Sequence, residues 1–252
     1  MALEATSGAR TLMRGLALLE LVAESPQGIG VSDLAAQTGL DRGTVSRLLA
    51  TIRECGYVRQ RPSDRKYSLS SKLTRLSQGY LLQTDITLAA RPMLLKLRDE
   101  FGETVHLAVR DGTRTMYADQ VESDHAVRAV SAIGLALPLH VTAMGRAILA
   151  AMAPDERALV LDLVRAEYMY DSFVRDGHRL DEELSAAQER GWATVDRGDD
   201  ITRIGAAIVD GAGEPIASVS VSGPTYRMKP VQDRVGERLR DVAEEIAAAY
   251  NA

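Results

Sequence analysis

The side chains best suited to chemistry in this sequence are cationic, and they crowd into one short stretch. Between residues 41 and 66 stand Arg42, Arg47, Arg53, Arg59, Arg61, Arg65 and Lys66, against Asp41, Glu54 and Asp64. Ammonium and guanidinium groups at that density suit phosphate, and a planar guanidinium also reads base edges through paired hydrogen bonds. The rest of the chain has the opposite sign. Residues 1–72 hold ten Lys or Arg and seven Asp or Glu, whereas the whole chain carries a net charge of −5. A local basic surface on an acidic protein implies a module that contacts nucleic acid.

Catalytic chemistry is poorly represented. The sequence has no G-x-S-x-G elbow, no phosphate-cradling G-x-x-x-x-G-K-[ST] and no H-E-x-x-H, so the usual nucleophile, nucleotide and zinc signatures are missing. His106, His125, His140 and His178 stand apart, and no pair has metal-ligand spacing on one helix face. Acid runs such as Asp181-Glu182-Glu183 and Asp199-Asp200 fit a helix start and a solvated loop. Cys55 is the only cysteine, which excludes an internal disulfide and a multi-thiolate metal cage. No catalytic residue, metal or cofactor is expected. An enzyme carrying a DNA-binding appendage is the competing function class, and a purely architectural DNA binder is a third.

The elements that must position the basic residues follow from spacing. Leu12, Leu16, Leu19 and Ala23 recur at helical intervals before Ser25-Pro26-Gln27-Gly28, predicting a first helix over 11–24. Ser32 is placed to cap a second helix over 33–38, ended by Gly39. Asp41 then caps a third, running to Glu54, whose Val45, Leu48, Leu49 and Ile52 face inward. Its outer face carries Arg42, Gly43, Thr44, Ser46, Arg47 and Ala50, small and basic residues that suit a helix lying in the major groove. Tyr57–Gln60 and Lys66–Leu69 read as two strands around Arg61-Pro62-Ser63-Asp64-Arg65, a wing decorated by Arg59, Arg61, Arg65 and Lys66. Together these make a winged helix-turn-helix over residues 1–72, dominated by helix.

Residues 73–90 continue helical spacing through Leu73, Leu76, Tyr80, Leu81, Ile86 and Ala90, predicting a helical linker, with a break or bend between Thr84 and Pro92. Residues 91–252 read as α+β. Val105–Val109 and Thr115–Ala118 flank the turn Asp111-Gly112, and Val127–Ser131 is a further expected strand. Helices are expected over 142–153, 154–164, 180–190 and 231–250, and a second hairpin joins 203–209 to 216–221 through Asp210-Gly211-Ala212-Gly213. No apolar run reaches the eighteen or so residues of a membrane span. With a start lacking the apolar core of a secretory signal, the expected location is the cytoplasm, with no membrane partner.

From Leu34-Ala35-Ala36-Gln37-Thr38-Gly39-Leu40-Asp41-Arg42-Gly43-Thr44-Val45-Ser46-Arg47-Leu48-Leu49-Ala50-Thr51-Ile52 through Gly56-Tyr57-Val58, the chain resembles the IclR family of transcription regulators. The likeness continues at Ala90-Arg91-Pro92, Gly102-Glu103-Thr104-Val105-His106-Leu107-Ala108-Val109, Val121-Glu122-Ser123, Leu137-Pro138-Leu139-His140 to Gly145-Arg146-Ala147, and Ser220-Val221-Ser222-Gly223-Pro224. It implies a GAF-like effector-binding, oligomerising domain over 91–252. It also implies binding to double-stranded operator DNA as a homodimer or dimer of dimers (a homotetramer), with repression favoured over activation. The implied effector is a small organic molecule, a carboxylic acid or an aromatic metabolite. By the same resemblance its pocket involves Thr142, Ala143, Met144 and Gly145 at a helix start, Ser220 and Ser222 on a strand, and an acidic position corresponding to Asp196. Two serines spaced by two face one side of a strand. This chain departs from the family where Arg203 stands in place of a cysteine or small residue. Either Arg203 faces the pocket and binds a carboxylate, or it turns to solvent or pairs with Asp196, Asp199 or Asp200.

Overall fold

The computed structural model describes residues 7–73, 75–76, 85–167 and 177–251. They form two compact units, one within residues 1–83 and one within residues 84–252.

The first unit is built from three helices and a hairpin: α1 (Ser7–Ala23), α2 (Val31–Thr38), α3 (Arg42–Glu54), β1 (Val58–Gln60) and β2 (Tyr67–Leu69). Gly39 adopts φ +68°, the left-handed conformation that glycine reaches without a Cβ clash, and this turns the chain from α2 into α3. β1 and β2 pair antiparallel, Val58 opposite Leu69. Leu18, Val22, Ile29, Leu34, Val45, Leu49, Val58 and Tyr67 form the core. Two local expectations change. α1 begins four residues earlier and buries Leu18 and Val22, while Leu12, Met13 and Leu16 near its start are exposed. Ser32 is not a cap: α2 begins at Val31, and Gly30 precedes it with no side-chain hydrogen bond. Its backbone carbonyl accepts from Leu34 N at 3.1 Å, which places the helix start a residue earlier than the serine requires.

The second unit is one antiparallel sheet of order β5-β4-β3-β8-β7-β6 with helices on both faces. Its strands are β3 (Thr104–Asp111), β4 (Arg114–Val121), β5 (Ala136–Pro138), β6 (Ala193–Asp196), β7 (Ile201–Val209) and β8 (Pro215–Pro224). On one face, α4 (Asp85–Phe101) and α9 (Gln232–Tyr250) bury Leu94, Leu97, Leu239 and Ile246 against Val105, Leu107, Ile204, Ile208, Val219 and Val221. On the other lies α5 (Ala143–Ala151), with α6 (Pro154–Glu167) and α7 (Gly177–Arg190) packed against it through Ile148, Leu149, Leu161 and Leu184. A short helix α8 (Thr225–Met228) leads from β8 towards α9. The centre of the sheet is covered twice, which is why Thr104 to Val109 are all buried.

The linker expectation is only partly within view. Tyr80 and Leu81 lie outside the described residues, and the described end of the span behaves differently: Ile86 and Ala90 sit in the second unit's core. No break occurs at Pro92, which stands inside α4. Pro92 and Leu88 are both exposed, so the carbonyl that loses its amide partner at Pro92 faces water and the helix continues. Residues 127–131 are not a strand; the third strand is Ala136–Pro138, which pairs with β4 through Arg114↔Pro138. β6 was not expected. No helix among the described residues is long and apolar enough to cross a membrane.

Candidate DNA-binding and effector sites

The first candidate site is the outer face of α3. Asp41 caps the helix by accepting from Thr44 N at 2.9 Å, and its carboxyl is held below the usual Asp range by hydrogen bonding from Thr44, with Arg47's charge adding to it. Val45 and Leu49 anchor the inner face in the core. That leaves Arg42, Gly43, Ser46 and Arg47 exposed together and Thr44 half-buried. Arg47 Nη2 donates to Thr44 Oγ1 at 3.2 Å, which fixes the guanidinium one turn from the helix start. This is the geometry a recognition helix needs, with its N-terminal residues presented to base edges.

The wing divides its basic residues by role. Arg61 is braced: Nη2 donates to the Gln27 carbonyl at 2.9 Å and Nη1 pairs with Asp64 at 3.2 Å. Arg65 takes φ +56°, a strained conformation for a residue with a Cβ. The strain is held by Arg65 N donating to Arg61 O and Gln60 Nε2 donating to Arg65 O, both at 2.9 Å. Arg65 is exposed at the tip. Arg59 is exposed with Nε donating to Ser68 Oγ at 3.2 Å, and Lys66 is half-buried. Cys55 is exposed just past α3.

The second candidate site is the sheet face under α5. Residues directly opposite in an antiparallel pair project to the same side, so the register defines rows. One row runs Val195, Arg203, Ser222, Thr104; the next runs Ala193, Gly205, Ser220, His106, Gln120; a third runs Ala207, Ser218, Ala108, Tyr117. Ser220, Ser222 and Arg203 therefore share the face. Gly205 lets α5 approach: a Cβ there would stand 3.0 Å from Met144 N and 3.1 Å from Ala143 C. Thr142 caps α5 by accepting from Gly145 N at 2.8 Å, so Ala143 and Met144 carry the first two backbone N–H groups of the helix. Gly145 has no room for a side chain, because a Cβ would collide with the Leu139 backbone. Met144 packs with Ala108 and Tyr117.

Arg203 faces the row of Ser222 and also pairs within its own loop. Its Nη1 and Nη2 bond Asp199 Oδ1 and Oδ2 at 3.0 and 2.6 Å, and this pairing lowers the Asp199 carboxyl below its usual value. Arg203 thus lies on the Ser222 row and pairs with Asp199, one of the partners named in the second of the two alternatives. Arg197 joins the group, its Nε and Nη2 donating to the Val141 carbonyl at 3.0 and 2.6 Å. Arg197 is exposed as a residue, yet desolvation of its guanidinium first and Arg203's charge second lower its pKa. Asp196 is not brought to this face. It is exposed, opposes Thr202 rather than Arg203, and caps its own turn by accepting from Gly198 N at 2.8 Å.

Sequence reasoning missed His106, Tyr117 and Arg197 as members of this site. The signal for His106 was present: Val105, Leu107 and Val109 alternate with it, so His106 falls on the other side from the apolar set. Among the described residues no group of three or more His, Cys, Asp or Glu is arranged to hold a metal.

A capped helix with an exposed basic face, a basic wing and a separate sheet-and-helix unit define a winged helix-turn-helix transcription regulator. The family models agree: residues 11–62 match the IclR helix-turn-helix domain, and residues 78–248 match the bacterial transcriptional regulator IclR C-terminal domain. The chain belongs to the IclR family. It is 32% identical to the transcriptional repressor IclR of Escherichia coli K12, over 98% of this chain and 92% of that protein. A crystal structure of an IclR family transcriptional regulator from Brucella abortus aligns with TM-score 0.80 at 28% identity, covering 99% of this chain and 96% of that one. An IclR homolog from Microbacterium hydrocarbonoxydans, complexed with 4-hydroxybenzoate, shares the fold at 21% identity with TM-score 0.75, covering 95% and 98%. The chain is a regulator, not an enzyme.

Proposed function

We propose that this protein is a cytoplasmic repressor that binds operator DNA as a homodimer or dimer of dimers and changes its hold on DNA when a small carboxylic acid binds its second unit. The repressor name of the Escherichia coli relative supports the sign of regulation. In this reading the second unit is the GAF-like sensor. The observation that carries the effector half is the row Arg203–Ser222 beside Gly205–Ser220, under the first N–H groups of α5. Two guanidiniums, two hydroxyls and a helix start make an anion site, and Met144 supplies an apolar wall. The 4-hydroxybenzoate of the Microbacterium homolog is one acid that a fold of this kind holds. Asp196 has no role in this reading.

The DNA half is tested by Arg47→Ala. Losing a base-reading guanidinium should cost about 1–3 kcal/mol of discrimination between operator and unrelated duplex. Arg65→Ala should weaken every duplex alike and reduce the salt slope. A titration in which Arg47→Ala keeps the wild-type ratio of specific to non-specific binding would remove α3 from the role of reader. For the effector half, calorimetry with small carboxylates should show Arg203→Ala binding at least about tenfold more weakly, the loss of one charge-assisted hydrogen bond or more. Unchanged affinity would take Arg203 out of the site.

A further inference from the structure

His106 is buried on the sheet face beneath α5, yet neither Nδ1 nor Nε2 has a hydrogen-bond partner. Buried polar groups in folded proteins are nearly always satisfied, and an exception calls for an explanation. The surroundings of this one are specific. Across the strands it is flanked by Ser220 and Gln120, and its ring meets Tyr117 edge-on with centroids 5.3 Å apart. Tyr117 in turn packs with Ala108 and Met144. Arg203 lies two strands away and one row along, with the backbones about 10 Å apart across the sheet. Two side chains and a compact ligand fill such a span.

We propose that His106 is a ligand-contacting residue of the effector site, hydrogen-bonding a hydroxyl group of the bound acid and so selecting hydroxylated over plain carboxylic acids. The inference rests on the reading that the Arg203 face holds the effector's carboxylate. A neutral imidazole offers one N–H donor and one lone pair, and a hydroxyl is the small group that either nitrogen can bond. A second carboxylate is disfavoured, because burial keeps His106 uncharged and Ala108, Tyr117 and Met144 offer no counter-charge. An ammonium is disfavoured by Arg203 and Arg197. A hydroxyl meets both conditions.

The test uses the full chain as wild type, His106→Phe and Arg203→Ala, titrated calorimetrically with benzoate and its monohydroxy isomers and with butyrate and its monohydroxy isomers. In the wild type at least one hydroxylated acid should bind about tenfold more tightly than its parent, the worth of one net hydrogen bond. His106→Phe should erase that preference, so that parent and hydroxylated acid bind alike. Arg203→Ala should weaken parent and hydroxylated acid alike. Should His106→Phe fail to fold, ring-¹⁵N histidine spectra of the wild type carry the test: the preferred hydroxy acid should shift the His106 nitrogens and its parent should not. A wild type that treats every hydroxylated acid like its parent overturns the role of His106 and leaves the Arg203 site standing, as does a preference that survives His106→Phe. If no acid binds, the anion site and this inference fall together.

Discussion

Arg227→Ala is expected to destabilise the second unit by about 1.5–3 kcal/mol, less than for a fully buried ion pair because Arg227 is 23% exposed while Glu103 is buried. Glu103 is 3% exposed, and its carboxylate accepts from Arg227 Nε and, at 3.0 Å, from Nη2. The pairing with Glu103 raises the Arg227 pKa, so the guanidinium stays charged at any working pH. Gly223 lies so close to that carboxylate that a Cβ would strike it. The same guanidinium donates to the Val127 carbonyl at 2.9 Å, so its loss also releases that loop. Trp192 is the only tryptophan in the sequence and is buried in the second unit. Its fluorescence during urea unfolding therefore reports on this unit alone. The variant pair Glu103→Gln with Arg227→Met should recover part of the loss, since it removes both charges together. A loss below about 1 kcal/mol for Arg227→Ala would show that the carboxylate finds water or another donor, against the burial described.

Acidification should produce the second large effect. Burial first, and Arg203's charge second, push the His106 pKa from the usual 6.5 down to about 4. The folded state thus holds the ring neutral, whereas the unfolded chain takes up a proton near 6.5. Its contribution is complete above pH 6.5 and is lost as pH falls through about 4, a total of about 3 kcal/mol. Urea midpoints followed by Trp192 from pH 7.5 to 4 should fall along this course, and His106→Phe should flatten that part of the curve. If wild type and His106→Phe decline in parallel over the window, the ring is solvated in the folded protein.

The helix-turn-helix was legible because its signals are local. Asp41, Gly39 and the Val45–Leu49 spacing each act within a turn or two of chain, and all three work as their chemistry requires. The hairpins around Asp111-Gly112 and Asp210-Gly211-Ala212-Gly213 were legible for the same reason. What failed depended on distant partners. Ser32 is a good cap residue, but the pairing of Ile29 with Tyr67 and the turn before α2 set where that helix begins. Residues 127–131 have strand-like composition, yet Ala136–Pro138 takes the place beside β4. On the candidate effector face, Ser220 and Ser222 came from the family resemblance, their spacing of two putting both on one side of a strand, while Arg203 depended on a register that only the β7–β8 pairing supplies. Asp196, one residue beyond the position opposite Arg203, falls on the other side for that reason.

The strand order has a consequence for how the protein is made. Thr104 lies opposite Ser222 at the middle of the sheet, joining strands from the two ends of the second unit, while every strand pairing among the described residues of the first unit lies within residues 29–69. Closing so long a loop is entropically slow, whereas local contacts form quickly. On the ribosome the first unit is complete before the sheet of the second has a centre, because β8 is synthesised well after β3. Until then β3 exposes one hydrogen-bonding edge of apolar strand. Nascent chains are therefore most prone to associate during the interval between the emergence of Asp111 and that of Pro224, and a stall or truncation in that interval would leave a finished helix-turn-helix joined to an unfinished sheet.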